Sequence, residues 1–197
     1  MAYNPKDYFF KKAKEQNFAA RSVFKLEEID SRFHVIKKND IVIDLGCAPG
    51  AWSQYTSKKI GNGGLIIGID LQKVHLTLPN VHFVEGNAFD EPTLSNVLAE
   101  LSIQKVNVVM SDMAPKTTGI RITDQQRSYD LCLRALNVAK ARLKPGGIFI
   151  VKFFQSEFFD DFLKEIKKHF LKMEILRPKS TRKSSIEIFI IGLGLKS

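Results

Sequence analysis

Long hydrophobic runs are missing from this 197-residue chain. No stretch of eighteen apolar residues occurs, so no membrane-spanning helix is expected. Cysteine is scarce: Cys47 and Cys132 are the whole complement. Two cysteines cannot form the disulfide framework of a small secreted protein, and these two lack the spacing of a zinc site, so no metal is expected. The opening stretch MAYNPKDYFFKKAKEQNF has no apolar core followed by a small-residue cleavage site, and it is not rich in Arg and Ser. A reducing cytoplasm is the default compartment. Internal repeats, low-complexity tracts and linkers are absent as well. The expectation is one domain over residues 1–197, with 1–33 as a basic helical arm packed on it, and a monomer by default.

What is present begins with apolar content and charge. Hydrophobic residues make up 44% of the chain, enough for a substantial core. The net charge of +9 is unevenly placed. Residues 1–26 hold six Lys/Arg against two Asp/Glu, and residues 164–183 hold eight against two, so the remainder is nearly neutral. Two basic segments flanking a neutral body point to a polyanion partner, although lysines on surface helices also serve solubility alone.

Apolar runs at 41–45, 65–69, 81–84, 106–111, 147–153, 173–176 and 186–192 read as strands. Helical stretches fall at 21–33, 51–59, 92–101, 123–143 and 158–170. Strand–helix alternation predicts a parallel sheet with helices on both faces. The segment 171–192 reads strand, basic loop, strand, which predicts at least one antiparallel strand at the end of the chain. Leu143-Lys-Pro-Gly-Gly147 reads as a helix stop.

In such a sheet, ligands bind beyond the carboxyl ends of the strands, where strand order reverses. The first strand ends in Asp44-Leu-Gly46, and the loop to Gly50 opens a helix. Glycines let the backbone pass close to a ligand. The second strand ends in Asp70, placed to accept hydrogen bonds from ribose hydroxyls. The loop lacks the close glycine pair of a dinucleotide site and the Gly-Lys-Ser/Thr of a P-loop. A nucleoside ligand without a diphosphate fits better, S-adenosylmethionine being the common one; the alternative is a tight turn with no ligand. Asn87, after the third strand, would lie beside an adenine. Trp52, the single tryptophan, either packs the first sheet helix or lines the pocket.

Three lone charges stand in strands that read as buried: Asp112 after the fourth strand, Lys152 in the fifth and Glu187 in the last. They form either a structural ion pair or a reactive cluster. A ribose hydroxyl attacks only when a base takes its proton. A lysine serves as that base only in its neutral form, which burial and a second cation favour and carboxylates oppose.

The chain resembles the FtsJ-type ribosomal RNA 2′-O-methyltransferases, specifically the large-subunit uridine enzymes. The resemblance covers nearly its whole length. It is carried by Arg21-Ser-Val-Phe-Lys-Leu-Glu-Glu-Ile29, Asp44-Leu-Gly-Cys-Ala-Pro-Gly-Ala-Trp-Ser-Gln54, Ser111-Asp-Met-Ala-Pro115, Gly146-Gly-Ile-Phe-Ile-Val-Lys152 and Ser184-Ser-Ile-Glu187. The resemblance implies a Rossmann-like α/β fold with a seven-stranded, mostly parallel sheet and an antiparallel terminal strand. It implies a catalytic set of Lys25, Asp112, Lys152 and Glu187, with Lys152 as base. It implies S-adenosylmethionine held by Gly46, Gly50, Trp52, Asp70, Asn87 and Asp112. Two departures stand out: Asn87 where the bacterial pattern has aspartate, and Ala51 where glycine is commoner. The implied partner is ribosomal RNA or the large ribosomal subunit, with Lys6, Lys11, Lys12, Lys14, Arg21, Lys179, Arg182 and Lys183 as candidate phosphate contacts.

Rival readings lack their marks. A nicotinamide oxidoreductase needs the missing glycine set. An amino-methylating enzyme carries Asp/Asn-Pro-Pro-aromatic where this chain has Asp112-Met-Ala-Pro115, and a cytosine-C5 enzyme needs a cysteine there. A non-catalytic RNA-binding module leaves the three buried charges without a purpose. Cap-type 2′-O-methyltransferases share the catalytic set, and the compact length favours the ribosomal branch.

Overall fold

The computed structural model describes residues 8–116 and 118–197. In chain order its elements are α1 (Tyr8–Glu15), α2 (Val23–Phe33), β1 (Ile41–Leu45), α3 (Ala51–Ile60), β2 (Leu65–Asp70), β3 (Val81–Glu85), α4 (Glu91–Glu100), β4 (Val106–Ser111), α5 (Arg121–Arg142), β5 (Leu143–Phe154), α6 (Phe159–His169), β6 (Phe170–Leu176) and β7 (Glu187–Leu195). The strands form one sheet in the order β3-β2-β1-β4-β5-β7-β6. β7 runs antiparallel to both of its neighbours, β5 and β6. The expected antiparallel strand is therefore the last in sequence but lies one place in from the sheet edge. Among the described residues no helix is long and apolar enough to cross a membrane.

Continuous apolar strands need cover on both faces. Ile43, Ile67, Val109, Phe149 and Ile190 pack on one face, beneath α4, α5 and α6. Val42, Ile66, Met110, Ile150 and Phe189 pack on the other, beneath α2 and α3. The alternation of β5 puts Lys152 on this second face, in step with Ile150.

Leu143-Lys-Pro-Gly-Gly147 stops the helix as expected, and the strand starts earlier than expected. α5 ends at Arg142 and β5 begins at once, with Leu143 beside Val106. The register then shifts between Val106 and Val108. Gly146, at φ 80°, absorbs the irregularity with a backbone angle that other residues rarely adopt.

α2 is fixed to α3 by Asp30, which is 2% exposed. Its carboxylate accepts from the Ile36 N–H at 3.0 Å and the Tyr55 hydroxyl at 2.8 Å, and Lys59 stands 3.0 Å away. Burial first, and then Asp30, push the Tyr55 phenol well above its ordinary range, so it stays a donor. This clamp holds the helix that carries Lys25. Asp30→Ala strands two buried donors and is expected to lower stability by about 2–3 kcal/mol in urea unfolding. A loss below about 0.5 kcal/mol, the range of an ordinary surface change, would show that the clamp is unimportant.

Candidate active site

The strand order reverses between β1 and β4, and their register sets Leu45 beside Ser111. The loops starting at Gly46 and Asp112 therefore leave the sheet side by side, where an open α/β sheet leaves a crevice. Asp70 ends β2 next to them. Ser111 also pairs with Val151, so Lys152 follows one step further along β5. Because β7 is antiparallel, its first residue, rather than its last, lies at this end of the sheet. Phe154 pairs with Glu187 and Lys152 with Phe189, which places Lys152 and Glu187 as diagonal neighbours on one face.

One cleft, of about 520 Å³, is lined by Gly46, Ala48, Asp70, Asn87, Asp112 and Met113 among others. Gly46 has φ +71°, and a Cβ there would stand 2.1 Å from the Met113 side chain. A side chain would therefore be both strained and obstructed. Gly50 has φ +102° and faces Leu76, so glycine serves the same end on entry to α3. The Asp70 carboxylate accepts from the N–H groups of Ala48 and Gln72 at 2.9 and 2.8 Å, which fixes its orientation. Each of its oxygens keeps a further lone pair. Asn87 gives its carbonyl to the Phe89 N–H at 3.0 Å, which leaves its NH₂ as a donor toward a ligand. An adenine could thus meet a donor there instead of the expected acceptor.

Behind Gly46, Asp44 is wholly buried and accepts from the Ser53 hydroxyl at 2.7 Å. Burial pushes its carboxyl up to about 7 against the opposing Ser53 bond, and the charges of Asp112 and Asp70 add to the rise. The cleft lining itself carries both signs, Asp70 and Asp112 with Lys116 and Arg134. S-adenosylmethionine, a nucleoside, matches the ribose acceptor at Asp70.

The Trp52 side chain is packed between α3, α2 and β7. It is 3% exposed, its indole N–H donates to the Ser22 carbonyl at 3.0 Å, and its ring lies against Phe189 at 5.7 Å. Trp52 pins α3 to α2 and β7, and it lines neither cleft. The helix direction decides this: its second residue turns toward the sheet, leaving only its backbone N–H for a ligand. Cys47 and Cys132 are buried and free, and burial raises both thiols, which suits packing and not nucleophilic work.

A second cleft, of about 500 Å³, contains Lys25, Lys152 and Glu187, and meets the first at Ala114. The structure brings the four expected residues together as two ion pairs. Lys25 Nζ is 2.6 Å from Glu187 Oε1, with both side chains 11% exposed. Lys152 Nζ is 3.1 Å from Asp112 Oδ1 and also donates to the Asp112 carbonyl. Burial alone would push the Glu187 carboxyl up. Lys25 outweighs it, assisted by Lys152 and the Thr181 hydroxyl, and holds Glu187 below its ordinary range. Asp112 lines the first cleft and Lys152 the second, so this pair is the partition between them.

The basic segments divide differently from their charge totals. Lys164, Lys168 and Lys172 pair with Asp161, Glu165 and Glu174 on α6 and β6, on the outer side of the sheet. Of residues 164–183, Arg182 reaches the second cleft. Lys179 donates its backbone N–H to Glu28 at 2.7 Å, and Arg21 donates to the Ser180 carbonyl, so α2 holds the loop before β7 from two points. Lys11 and Lys14 are exposed on α1, Lys12 lies 4.5 Å over the Phe24 ring, and Lys183 is exposed. Lys6 lies outside the described residues. Arg121, at the start of α5, lines the second cleft and was not among the expected contacts. Its signal was a cation at a helix N-terminus, where the helix dipole disfavours one.

Asp44 yields a test. A carboxyl raised from 3.8 to about 7 binds its proton more tightly in the fold than in the unfolded chain. The associated stability is present below the unfolded value and is lost as pH rises through the folded one. Asp44→Asn removes this loss, so between pH 5 and 8 its stability relative to the unmodified protein should rise, by on the order of 1–3 kcal/mol. Parallel pH–stability curves from denaturant unfolding would exclude a raised Asp44.

With this geometry in hand, comparison with known proteins is informative. A family model described as FtsJ-like methyltransferase matches residues 18–195. A ribosomal RNA large subunit methyltransferase E from Bdellovibrio bacteriovorus is 50% identical over 197 residues, covering 100% of both chains. One of the same name from Desulfatibacillum aliphaticivorans is 45% identical over 192 residues, covering 97% of this chain and 91% of its own. A Plasmodium falciparum structure named as a ribosomal RNA methyltransferase superposes with TM-score 0.80 at 26% identity, covering 90% of this chain and 98% of its own. Aeropyrum pernix fibrillarin, solved with S-adenosyl-L-methionine, shares the fold at TM-score 0.61 and 16% identity, over 81% of this chain and 68% of its own. The matched residues, the whole-length identity and the shared sheet lead to one conclusion: this chain belongs to the FtsJ-like methyltransferase family.

Proposed function

We propose that this chain transfers a methyl group from S-adenosylmethionine to the ribose 2′-oxygen of a uridine in large-subunit ribosomal RNA, with Lys152 as the general base. Membership of the family makes it an S-adenosylmethionine-dependent RNA methyltransferase. The relatives' names support ribosomal RNA as substrate. The choice of ribose oxygen and of uridine rests on the resemblance of the four-residue set and its flanking motifs. We place the reaction in the cytoplasm, with one polypeptide sufficient for it.

One observation carries the reading: the Lys152–Asp112 pair separates a nucleoside-sized cleft lined by Asp70 and Asn87 from a cleft edged by arginines. A methyl group passing from one cleft to the other must pass this pair. When bound, S-adenosylmethionine supplies a methyl carbon already activated by a positive sulfur. Gly46 and Gly50 give it room, Asp70 takes its ribose hydroxyls, and Asn87 meets its base. The work left to the protein is to position the acceptor oxygen and to take its proton.

In this account Lys152 first releases its ammonium proton to solvent, then accepts the 2′-hydroxyl proton as the new oxygen–carbon bond forms, and becomes an ammonium again. Asp112, 3.1 Å away, stabilises that charge and aims the amine. Glu187 keeps Lys25 in place at 2.6 Å, beside the same floor. Lys152 is 8% exposed, so the acceptor ribose must reach down into the cleft. A nucleotide turned out of its helix, or a single-stranded one, meets that demand.

Lys152→Ala should leave calorimetric affinity for S-adenosylmethionine within about threefold of normal and reduce tritiated-methyl transfer by at least about 10²-fold, the lower range for a lost acid–base group. Undiminished transfer would remove Lys152 from the mechanism.

A further inference from the structure

The charges of the second cleft separate by depth. On its floor, Lys25 is balanced by Glu187, and Lys152 by Asp112 behind it. Its rim carries Arg21, Arg121 and Arg182. The acid on that rim, Asp124, is committed to the Thr118 N–H and hydroxyl and the Gly119 N–H, at 2.7, 2.9 and 3.2 Å. The arginines therefore gather at the rim and the paired lysines on the reactive floor. Arg21 and Arg182 share one side, close enough that each charge disfavours the other. Arg121 arrives separately, from α5.

Residues 120–122 break the rules for starting a helix. Ile120 occupies the N-cap position, where a side-chain oxygen is preferred. Arg121 puts a cation at the positive end of the helix dipole. Ile120 and Ile122 are 63% and 67% exposed. Other arginines of this face are engaged: Arg127 donates to the Lys116 carbonyl at 3.3 Å, and Arg134 stacks on Phe89 at 4.2 Å. Arg121 is exposed, and among the described residues no hydrogen-bond or ion-pair partner is found for it. Local choices that oppose stability at a cleft edge point to a ligand.

We propose that Arg121, flanked by Ile120 and Ile122, is a second RNA-binding lip, gripping a backbone phosphate on the opposite side of the acceptor nucleotide from Arg21 and Arg182. This rests on the RNA reading given above. The occupant is a single RNA strand: its phosphates supply the missing anionic partner, and its bases and riboses offer apolar faces to the two isoleucines. Two lips holding the flanking phosphates would direct the ribose between them down to Lys152.

The test is anisotropy of a fluorescein-labelled oligouridylate over a potassium chloride series. Loss of one phosphate contact lowers the slope of log affinity against log salt by about 0.7 for single strands. Arg121→Gln is expected to show that decrease and about three- to tenfold weaker binding at low salt, while Arg121→Lys keeps the slope. S-adenosylhomocysteine affinity and the melting temperature should match the unmodified protein in both variants, which separates the contact from misfolding. A normal slope in Arg121→Gln beside a reduced one in Arg182→Gln would overturn the second lip and leave RNA binding intact. Binding by the unmodified protein that is absent, or flat with salt, would overturn the RNA reading and this inference with it.

Discussion

A lysine and an aspartate at the ends of two adjacent parallel strands, 3.1 Å apart, organise this molecule. Neither charge would be tolerated in so buried a place without the other. Each therefore fixes its partner's position. The β4–β5 register brings them together, and the reversal of strand order between β1 and β4 opens a crevice in front of them. The antiparallel β7 then contributes Glu187 from its start, and Glu187 draws Lys25 down from α2. Running β7 parallel would put its first residue at the wrong end of the sheet.

The two clefts differ in their lining. Burial, with the charges of Asp112 and Asp70 adding to it, pushes the Asp44 carboxyl behind the first up to about 7. That cleft offers Asp70 and Asn87, the groups proposed for a nucleoside. The other cleft carries arginines at its edge. In the proposed reaction the methyl donor and the nucleic acid acceptor stand on opposite sides of the Lys152–Asp112 partition.

Much of this was legible in the sequence. Asp112, Lys152 and Glu187 were visible because a lone charge in an apolar strand needs a reason. Lys25 was not, since a lysine on an amphipathic helix looks like any solvated residue, and only its motif singled it out. Trp52 was ambiguous because composition does not say which way the second residue of a helix turns. The basic total of 164–183 did not show where its charges lie: three of its lysines pair with carboxylates on α6 and β6, and Arg182 reaches the second cleft. Arg121 escaped notice because one cation at a helix start carries no weight until the fold places it on the same cleft as Arg182. Pro145-Gly-Gly147 read as a helix stop, and the helix does end before it, while pairing of Leu143 with Val106 extends β5 back through it as an irregular strand.

The central claim is that the methyl group crosses to a ribose oxygen at Lys152. The direct measurement is the chemical form of the product after unmethylated large subunits are incubated with the enzyme and tritiated-methyl S-adenosylmethionine. A methyl on a 2′-oxygen blocks alkaline cleavage of the adjoining phosphodiester, so the label should survive alkali in a dinucleotide. Label recovered in mononucleotides carrying a methylated base would contradict the account.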